Sequence, residues 1–256
     1  MTEIIRLSEG GMHTKTALTM GFFDGVHAGH RKLISDVCFY AERHNLKSCV
    51  LTFSNHPMDI LCPEKSPGLL TSFEERMKLI SSIGPDFIAL IEFTRQYADM
   101  SPEDFIDKIL IGQMKASFVA IGGNNRFGKN ASGTPEMLLC RPFSTSIISH
   151  EKYNEMTVSS TSIRKAVAEG RMPDAASMLS RPYSIRLSAS EVKGIFHSEQ
   201  KKIIPPDGTY EGLINGEKHI FAINSNNTGG SRIIGISCES IKEHKDADIS
   251  FLRKIK

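Results

Sequence analysis

The chain has few cysteines, and they form no recognisable framework. The five are odd in number, widely spaced and free of any CxxC pair. They are Cys38, Cys49, Cys62, Cys140 and Cys238. This pattern excludes a disulfide scaffold and a cysteine zinc site, so we expect reduced thiols, as is usual in a cytoplasmic protein.

The chain also has little net charge and no long apolar run. Its 31 basic and 29 acidic residues leave a net charge of +2, which gives no electrostatic indication of binding to nucleic acid or to an anionic membrane. No apolar stretch approaches the roughly 20 residues of a membrane span. The first 15 residues are too polar for a signal peptide. We expect a cytoplasmic protein with small-molecule partners; nothing in the sequence indicates its oligomeric state.

The order of apolar segments predicts two domains. Strands are expected near residues 17–20, 48–53, 87–91, 118–121 and 145–149, with helices after residues 30, 72 and 101, at about 162–168 and from residue 173. This alternation predicts a Rossmann-like α/β domain, residues 1–182, with a parallel sheet between helices. Short β-prone runs around the hairpin signal Asn215-Gly216 then predict a small antiparallel β-barrel-like domain, residues 183–256.

The most informative stretch is GFFDGVHAGH, residues 21–30, which follows the first buried strand of that pattern. A glycine-rich strand-to-helix turn presents unpaired N–H groups at the positive end of a helix dipole, which suits a phosphate. His27 and His30 can donate hydrogen bonds to charge that develops on the phosphate. A single histidine would more often be a cap or a surface residue, but the HxGH spacing favours a nucleotide phosphate site.

Three further segments carry polar groups at predicted strand ends or helix starts. Residues 158–164, VSSTSIR, place hydroxyls and Arg164 at a helix start, where they either cap the helix or bind a phosphate. Residues 122–134 form a loop rich in glycine, asparagine and basic residues. His56 follows the 48–53 strand and, taken alone, indicates no chemistry.

In this order, the four motifs resemble the adenylyltransferase domain of prokaryotic FAD synthetases, the bifunctional riboflavin kinase/FMN adenylyltransferases. The family pattern G-x-F-D-G-V-H-x-G-H falls on residues 21–30, and T-F-x-P-H-P falls on residues 52–57. The V-G-x-[DN]-F-x-F-G loop and I-S-S-T-x-I-R fall on residues 119–128 and 158–164. The resemblance covers about residues 15–183.

The resemblance implies a role for each matched residue. The catalytic set would be His27, His30 and Arg164. The ATP-binding set would be Gly21, Phe22, Phe23, Asp24, Gly29, Ser160, Thr161 and Arg164. The FMN side would be His56, Asn124 and Phe127. Mg²⁺ would be held mainly by the substrate phosphates, near Asn124.

The sequence departs from the family pattern at several points. Asn55 stands where proline is usual, and Asn125 replaces the aromatic residue after Asn124. The second domain resembles a truncated riboflavin kinase barrel, yet the chain has no P-T-A-N motif, and residues 231–234 carry no carboxylate for a base. We therefore expect the kinase activity to be lost.

The sequence thus predicts an FMN adenylyltransferase that converts ATP and FMN into FAD and pyrophosphate, without kinase activity. Three alternatives stay open at this stage. The acceptor could be another phosphorylated molecule, or the donor CTP. The chain could be a binding protein for nucleotides or flavins that has lost turnover. The barrel could retain kinase activity through unusual residues.

Overall fold

The computed structural model describes residues 1–149, 152–153, 156–189, 195–198, 201–228, 231–237 and 246–256. The chain divides into two compact units. Unit 1 comprises Met1–Pro67 and Phe73–Glu151, and unit 2 comprises Gly68–Ser72 and Lys152–Lys256. The domain boundary predicted after residue 182 stays a prediction. Cys238 and residues 190–194 and 199–200 lie outside the described residues, so the expectations that fall on them do too.

Unit 1 contains the predicted parallel sheet. Its strands are β1 (Glu3–Arg6), β2 (Thr16–Met20), β3 (Lys47–Phe53), β4 (Phe87–Ile91), β5 (Ala116–Gly122) and β6 (Ser144–Ile148). They pair in the order β1-β4-β3-β2-β5-β6, and every pairing is parallel. From β2 the chain continues to β3 and β4 on one side of β2, and it later returns to place β5 and β6 on the other side. The direction of the strand order therefore reverses between β2 and β5. Ligands of open α/β sheets bind at such a switch point, outside the carboxyl ends of the strands.

Helices cover both faces of this sheet, as predicted. They are α1 (Ala28–Arg43), α2 (Pro57–Leu61), α3 (Phe73–Ser81), α4 (Arg95–Ala98), α5 (Pro102–Asp104) and a π-helix (Phe105–Gln113). Helix α1 buries Leu33, Ile34, Val37 and Ala41, the face that the sequence periodicity indicates, and it shares a core with α3. The π-helix packs in the core on the other side. Fold class is thereby confirmed for this unit.

One helix of unit 1 differs in kind from the expectation. Ser101 caps it as predicted, its Oγ accepting from the Asp104 N–H at 3.0 Å. After α5, however, the hydrogen bonds widen to the π pattern, for example from Met114 N to Ile109 O at 2.8 Å. Capping residues indicate where a helix begins but not its hydrogen-bond period, so the sequence could not predict this feature.

Unit 2 contains a closed antiparallel barrel and two helices. Its elements are β7 (Lys152–Tyr153), β8 (Met156–Thr157), α6 (Ser160–Ala168), α7 (Met172–Leu179), β9 (Tyr183–Ala189), β10 (Ile195–Ser198), β11 (Gly208–Ile214), β12 (Glu217–Thr228), β13 (Ser231–Ser237) and β14 (Asp246–Lys254). The barrel order is β10-β13-β12-β11-β14-β9. Asn215 and Gly216 join β11 to β12 with φ angles of 50° and 90°, the left-handed turn that the hairpin signal predicts.

Candidate functional site

The turn between β2 and α1 is tightly constrained. We call residues 21–30 the histidine turn. Phe23 and Val26 have φ angles of 58° and 40°, and Gly25 has a φ of 80°. Left-handed backbone at two residues that have side chains costs about 1–3 kcal/mol each and persists only where surrounding contacts fix it. The turn also lies at the carboxyl end of β2, beside the switch point of the sheet.

The two histidines of this turn contact each other. Their rings stack with centroids 3.6 Å apart and planes inclined by 20°. His27 precedes α1 as its N-cap, and its Nδ1 accepts from the His30 N–H at 3.4 Å. A neutral imidazole that accepts at Nδ1 carries its proton at Nε2.

His30 is poised for an anionic ligand. Burial, reinforced by the neighbouring His27, lowers the pKa of His30 well below 6.5, so the imidazole is neutral near pH 7. Its buried Nδ1 has no hydrogen-bond partner among the described residues, and its ring packs edge-on against Phe23 with centroids 5.1 Å apart. Together with the first N–H groups of α1, these features make the histidine turn a candidate anion site.

A cavity of about 430 Å³ opens beside the histidine turn, across the carboxyl ends of β3, β2 and β5. We call it the aromatic cavity. Its lining residues are Met20, Gly21, Leu51, Phe53, Pro57, Leu61, Phe93, Arg95, Tyr97, Ala98, Asp99, Phe105, Asn125, Arg126, Phe127, Gly128, Asn130 and Ala131. Gly21 belongs both to this lining and to the histidine turn. The size and the apolar wall with few polar groups are typical of sites for small organic ligands.

The residues predicted for the flavin side occupy different positions. Phe127 lines the aromatic cavity, whereas Asn124 is exposed and is not part of the lining. His56 caps α2, its Nδ1 accepting from the Met58 N–H at 3.1 Å, and it meets the Phe22 ring edge-on at 4.5 Å. Their roles in binding stay predictions.

Both departures from the family pattern have structural partners. The Asn55 carboxamide donates to Phe93 O at 2.9 Å and accepts from Phe93 N at 2.8 Å, which fixes the backbone of a cavity-lining residue. Asn125 Nδ2 donates to Met20 O at 2.9 Å. Asn125 therefore places a polar group in the cavity wall at the point where β2 ends.

Sequence reasoning missed Arg76, which lies in α3 and is only 2% exposed. Its guanidinium contacts Phe22 of the histidine turn and the carbonyl of Phe53 in the cavity lining. The run Glu74-Glu75-Arg76 resembles a solvated helix face, so no local signal distinguishes this arginine. Asp24, predicted for the ATP side, is also buried and acts on Arg76 electrostatically.

The predicted hydroxyl cluster lies in unit 2. Ser159 and Ser162 form a capping box at the start of α6, so part of the cluster serves the helix itself. Ser160 and Thr161 occupy the first turn. Arg164 Nε donates to Gly68 O at 2.8 Å. The structure therefore brings together the histidine turn, His56 and the aromatic cavity within unit 1, and describes the α6 residues within unit 2.

The described ranges contain no group of three or more His, Cys, Asp or Glu side chains that could hold a metal ion. Among these same residues, no helix is long and apolar enough to cross a membrane.

Comparison with known families matches residues 11–162 to the FAD synthetase family model. A bifunctional riboflavin kinase/FMN adenylyltransferase from Buchnera aphidicola subsp. Schizaphis graminum is 34% identical over 179 residues, 68% of this chain and 57% of that protein. The protein of the same description from Escherichia coli K12 is 30% identical over 66% of this chain and 55% of its own. The protein of the same description from Bacillus subtilis is 31% identical over 79% of this chain and 69% of its own length.

The aligned part of this chain thus spans little more than half the length of the first two relatives. Among solved structures, one described as a macrolide-efflux protein from Streptococcus pneumoniae superposes with a TM-score of 0.83 at 21% identity. The match covers 100% of this chain and 91% of that one. At this level of identity the likeness establishes the fold alone.

Proposed function

The chain belongs to the FAD synthetase family, and we propose that it transfers the adenylyl group of ATP to the phosphate of FMN, releasing FAD and pyrophosphate. One observation carries the proposal: the histidine turn, which holds two stacked imidazoles, begins at Gly21, and Gly21 also lines the aromatic cavity. A planar ring system joined to a phosphate by a short chain needs such a pair of adjacent sites. The stretch of sequence that forms both sites lies within the matched residues 11–162.

The flavin ring would occupy the aromatic cavity, where apolar and aromatic side chains can pack on its faces. Its phosphate would then lie toward Gly21 and the histidine turn. Arg95 and Arg126, both in the lining, offer positive charge at the same cavity. His56, Asn124 and Phe127 keep the flavin-side roles that the resemblance implies, and Asn125 adds a polar group to the cavity wall.

The reaction needs no nucleophilic side chain. A phosphate monoester is largely dianionic near neutral pH, so an FMN phosphate oxygen attacks the α-phosphorus of ATP directly. A new P–O bond forms as the bond from the α-phosphorus to the bridging oxygen breaks, and pyrophosphate leaves with that electron pair. The protein's task is positioning and charge neutralisation.

The chain's own groups divide this task. His27 Nε2–H donates to a phosphate oxygen, and the neutral His30 imidazole offers a second N–H donor. The pKa of His30 rises when the negatively charged phosphate approaches. The first N–H groups of α1 bind the same anion. Ser160, Thr161 and Arg164 are proposed to bind the triphosphate as well. Mg²⁺ is proposed to enter as Mg–ATP, because phosphate oxygens supply the ligands it prefers.

Product analysis tests this proposal. The full chain is incubated with Mg–ATP and FMN, and chromatography is expected to show FAD and pyrophosphate in equal amounts. A parallel reaction with ribose 5-phosphate, which has an acceptor phosphate but no flavin ring, is expected to give no adenylylated product, because it leaves the aromatic cavity empty.

Two outcomes would reject the proposal. Adenylylation of ribose 5-phosphate as fast as FMN would mean that the cavity does not select the acceptor, and that another phosphorylated substrate is in use. Tight binding of Mg–ATP without pyrophosphate release in the presence of FMN would indicate a binding protein without turnover.

A further inference from the structure

We propose that Arg76 is a positioning residue that fixes the histidine turn relative to the aromatic cavity, a role that depends on the proposed function only for its kinetic readout. The guanidinium bridges two neighbouring strand ends. Nη1 donates to Phe22 O at 3.0 Å, and Nη2 donates to Phe53 O at 2.6 Å. Phe22 lies in the histidine turn, and Phe53 ends β3 and lines the cavity.

The side chain holds Phe22 through its ring as well as its carbonyl. The guanidinium carbon lies 4.0 Å from the centroid of the Phe22 ring, close enough for a strong cation–π contact. Thr52 Oγ1 donates to the same Phe22 carbonyl at 3.2 Å. The backbone and the ring of Phe22 are therefore fixed together.

Arg76 keeps its charge although it is buried. Burial lowers the pKa of its guanidinium to about 10, and the nearby Asp24 acts in the opposite direction. The group is thus a cation at any pH at which the protein would work. Its Nε has no hydrogen-bond partner in the described part of the chain, and the guanidinium carbon also lies 5.8 Å from the centroid of the Phe73 ring.

The position of Phe22 matters because the next residue in the chain has a strained backbone conformation. Phe23 adopts the left-handed conformation with a φ of 58°, and its ring packs against His30. A shift of Phe22 would therefore pass through Phe23 to the His30 imidazole. On the other side, a shift of Phe53 would move the cavity wall. Arg76 therefore sets the distance between the histidine turn, which is proposed to bind ATP, and the wall of the aromatic cavity, which is proposed to bind FMN.

Losing this bridge should affect turnover more than binding. Each of the two sites keeps its own contacts, so KM for ATP and for FMN should change little. The reacting atoms would be misaligned, and a misplacement of about 1 Å can cost on the order of a hundredfold in rate. If Arg76 served only folding, its loss would lower the stability of the protein but would not lower kcat while KM stays unchanged.

The test compares three variants. Arg76→Met removes both donors and the charge, and Arg76→Lys keeps the charge but cannot bind two carbonyls in a planar fork. The matched control is Thr16→Val at the opposite end of β2, where the buried hydroxyl donates to Met114 O at 2.7 Å. Steady-state kinetics are measured for both substrates, well below the melting temperature of each variant.

We expect kcat of Arg76→Met to fall by about tenfold to a hundredfold, with both KM values within about threefold of the wild type. Arg76→Lys should recover only part of the loss, and Thr16→Val should melt earlier with unchanged kcat. An unchanged kcat in folded Arg76→Met would overturn the proposal. If Arg76→Met does not fold, full activity of Arg76→Lys would overturn it equally.

A substrate-free readout separates this proposal from the proposed function. The NMR signals of the His30 ring should shift in Arg76→Met and stay in place in Thr16→Val. If the wild type makes no FAD, the proposed function fails while this measurement still tests Arg76. Unmoved His30 signals in folded Arg76→Met would refute the positioning role whatever the reaction is.

Discussion

Replacing His30 with alanine is expected to lower the rate of FAD formation by about a hundredfold or more, the usual cost of one missing donor to transition-state charge. The fold should survive, because His30 Nδ1 has no partner within the described residues and the ring contacts only part of the turn. Because His30 is neutral without substrate, the substitution removes a hydrogen-bond donor that becomes charged only when the substrate phosphate is bound. It does not remove a permanent positive charge.

The measurement is kcat with saturating Mg–ATP and FMN, alongside circular dichroism to confirm folding. His44→Ala is the matched control, since His44 is exposed at the far end of α1 and stacks on Tyr40. It should retain full activity. A folded His30→Ala enzyme that works at the wild-type rate would refute the assignment of the histidine turn.

The second large effect concerns riboflavin, which this chain is expected not to phosphorylate. Four aromatic side chains of the barrel strands, Tyr183, Tyr210, Phe221 and Phe251, are each at most 1% exposed and belong to one buried cluster. In four pairs of these rings the centroids lie 5.2–6.3 Å apart. These rings belong to the packed hydrophobic core of unit 2.

The chemistry of the barrel agrees with this expectation. Glu211 on β11 forms ion pairs with Lys218 and Arg253, and these contacts lower the pKa of its carboxyl. A carboxylate held by two cations is a weak base, so it is poorly suited to activate a hydroxyl. The P-T-A-N motif is missing from the sequence as well.

The kinase prediction is tested with riboflavin and Mg–ATP, followed by chromatography. No FMN should form above a control without protein, while the same preparation converts FMN into FAD. The bifunctional relative from Escherichia coli serves as the positive control for the assay. Accumulation of FMN from riboflavin would show that the barrel phosphorylates it through residues other than the expected motif.

Local patterns predicted much of the fold. The strand expected at residues 87–91 is β4 itself, and the apolar period of α1 identified its buried face. The left-handed residues of the β11–β12 hairpin follow from Asn215 and Gly216 alone. These features depend on side chains a few residues apart, which is the range that a sequence pattern can report.

Long-range contacts account for what the sequence could not predict. Arg76 meets carbonyls 54 and 23 residues earlier in the chain, and nothing in its own helix indicates either partner. The aromatic cavity likewise gathers residues from several segments, so only Gly21 and Phe127 of its wall were among the predicted site residues. Asn55 appeared as a departure from a motif, and only the structure reveals its two bonds to Phe93.

The most direct test of the account is a crystal structure of the full chain with Mg²⁺ and a non-hydrolysable ATP analogue. The account predicts phosphate oxygens within hydrogen-bond distance of His27 Nε2 and of the His30 ring, at the amino end of α1. A triphosphate bound elsewhere, or imidazoles turned away from it, would contradict the proposal that this pair neutralises charge during adenylyl transfer.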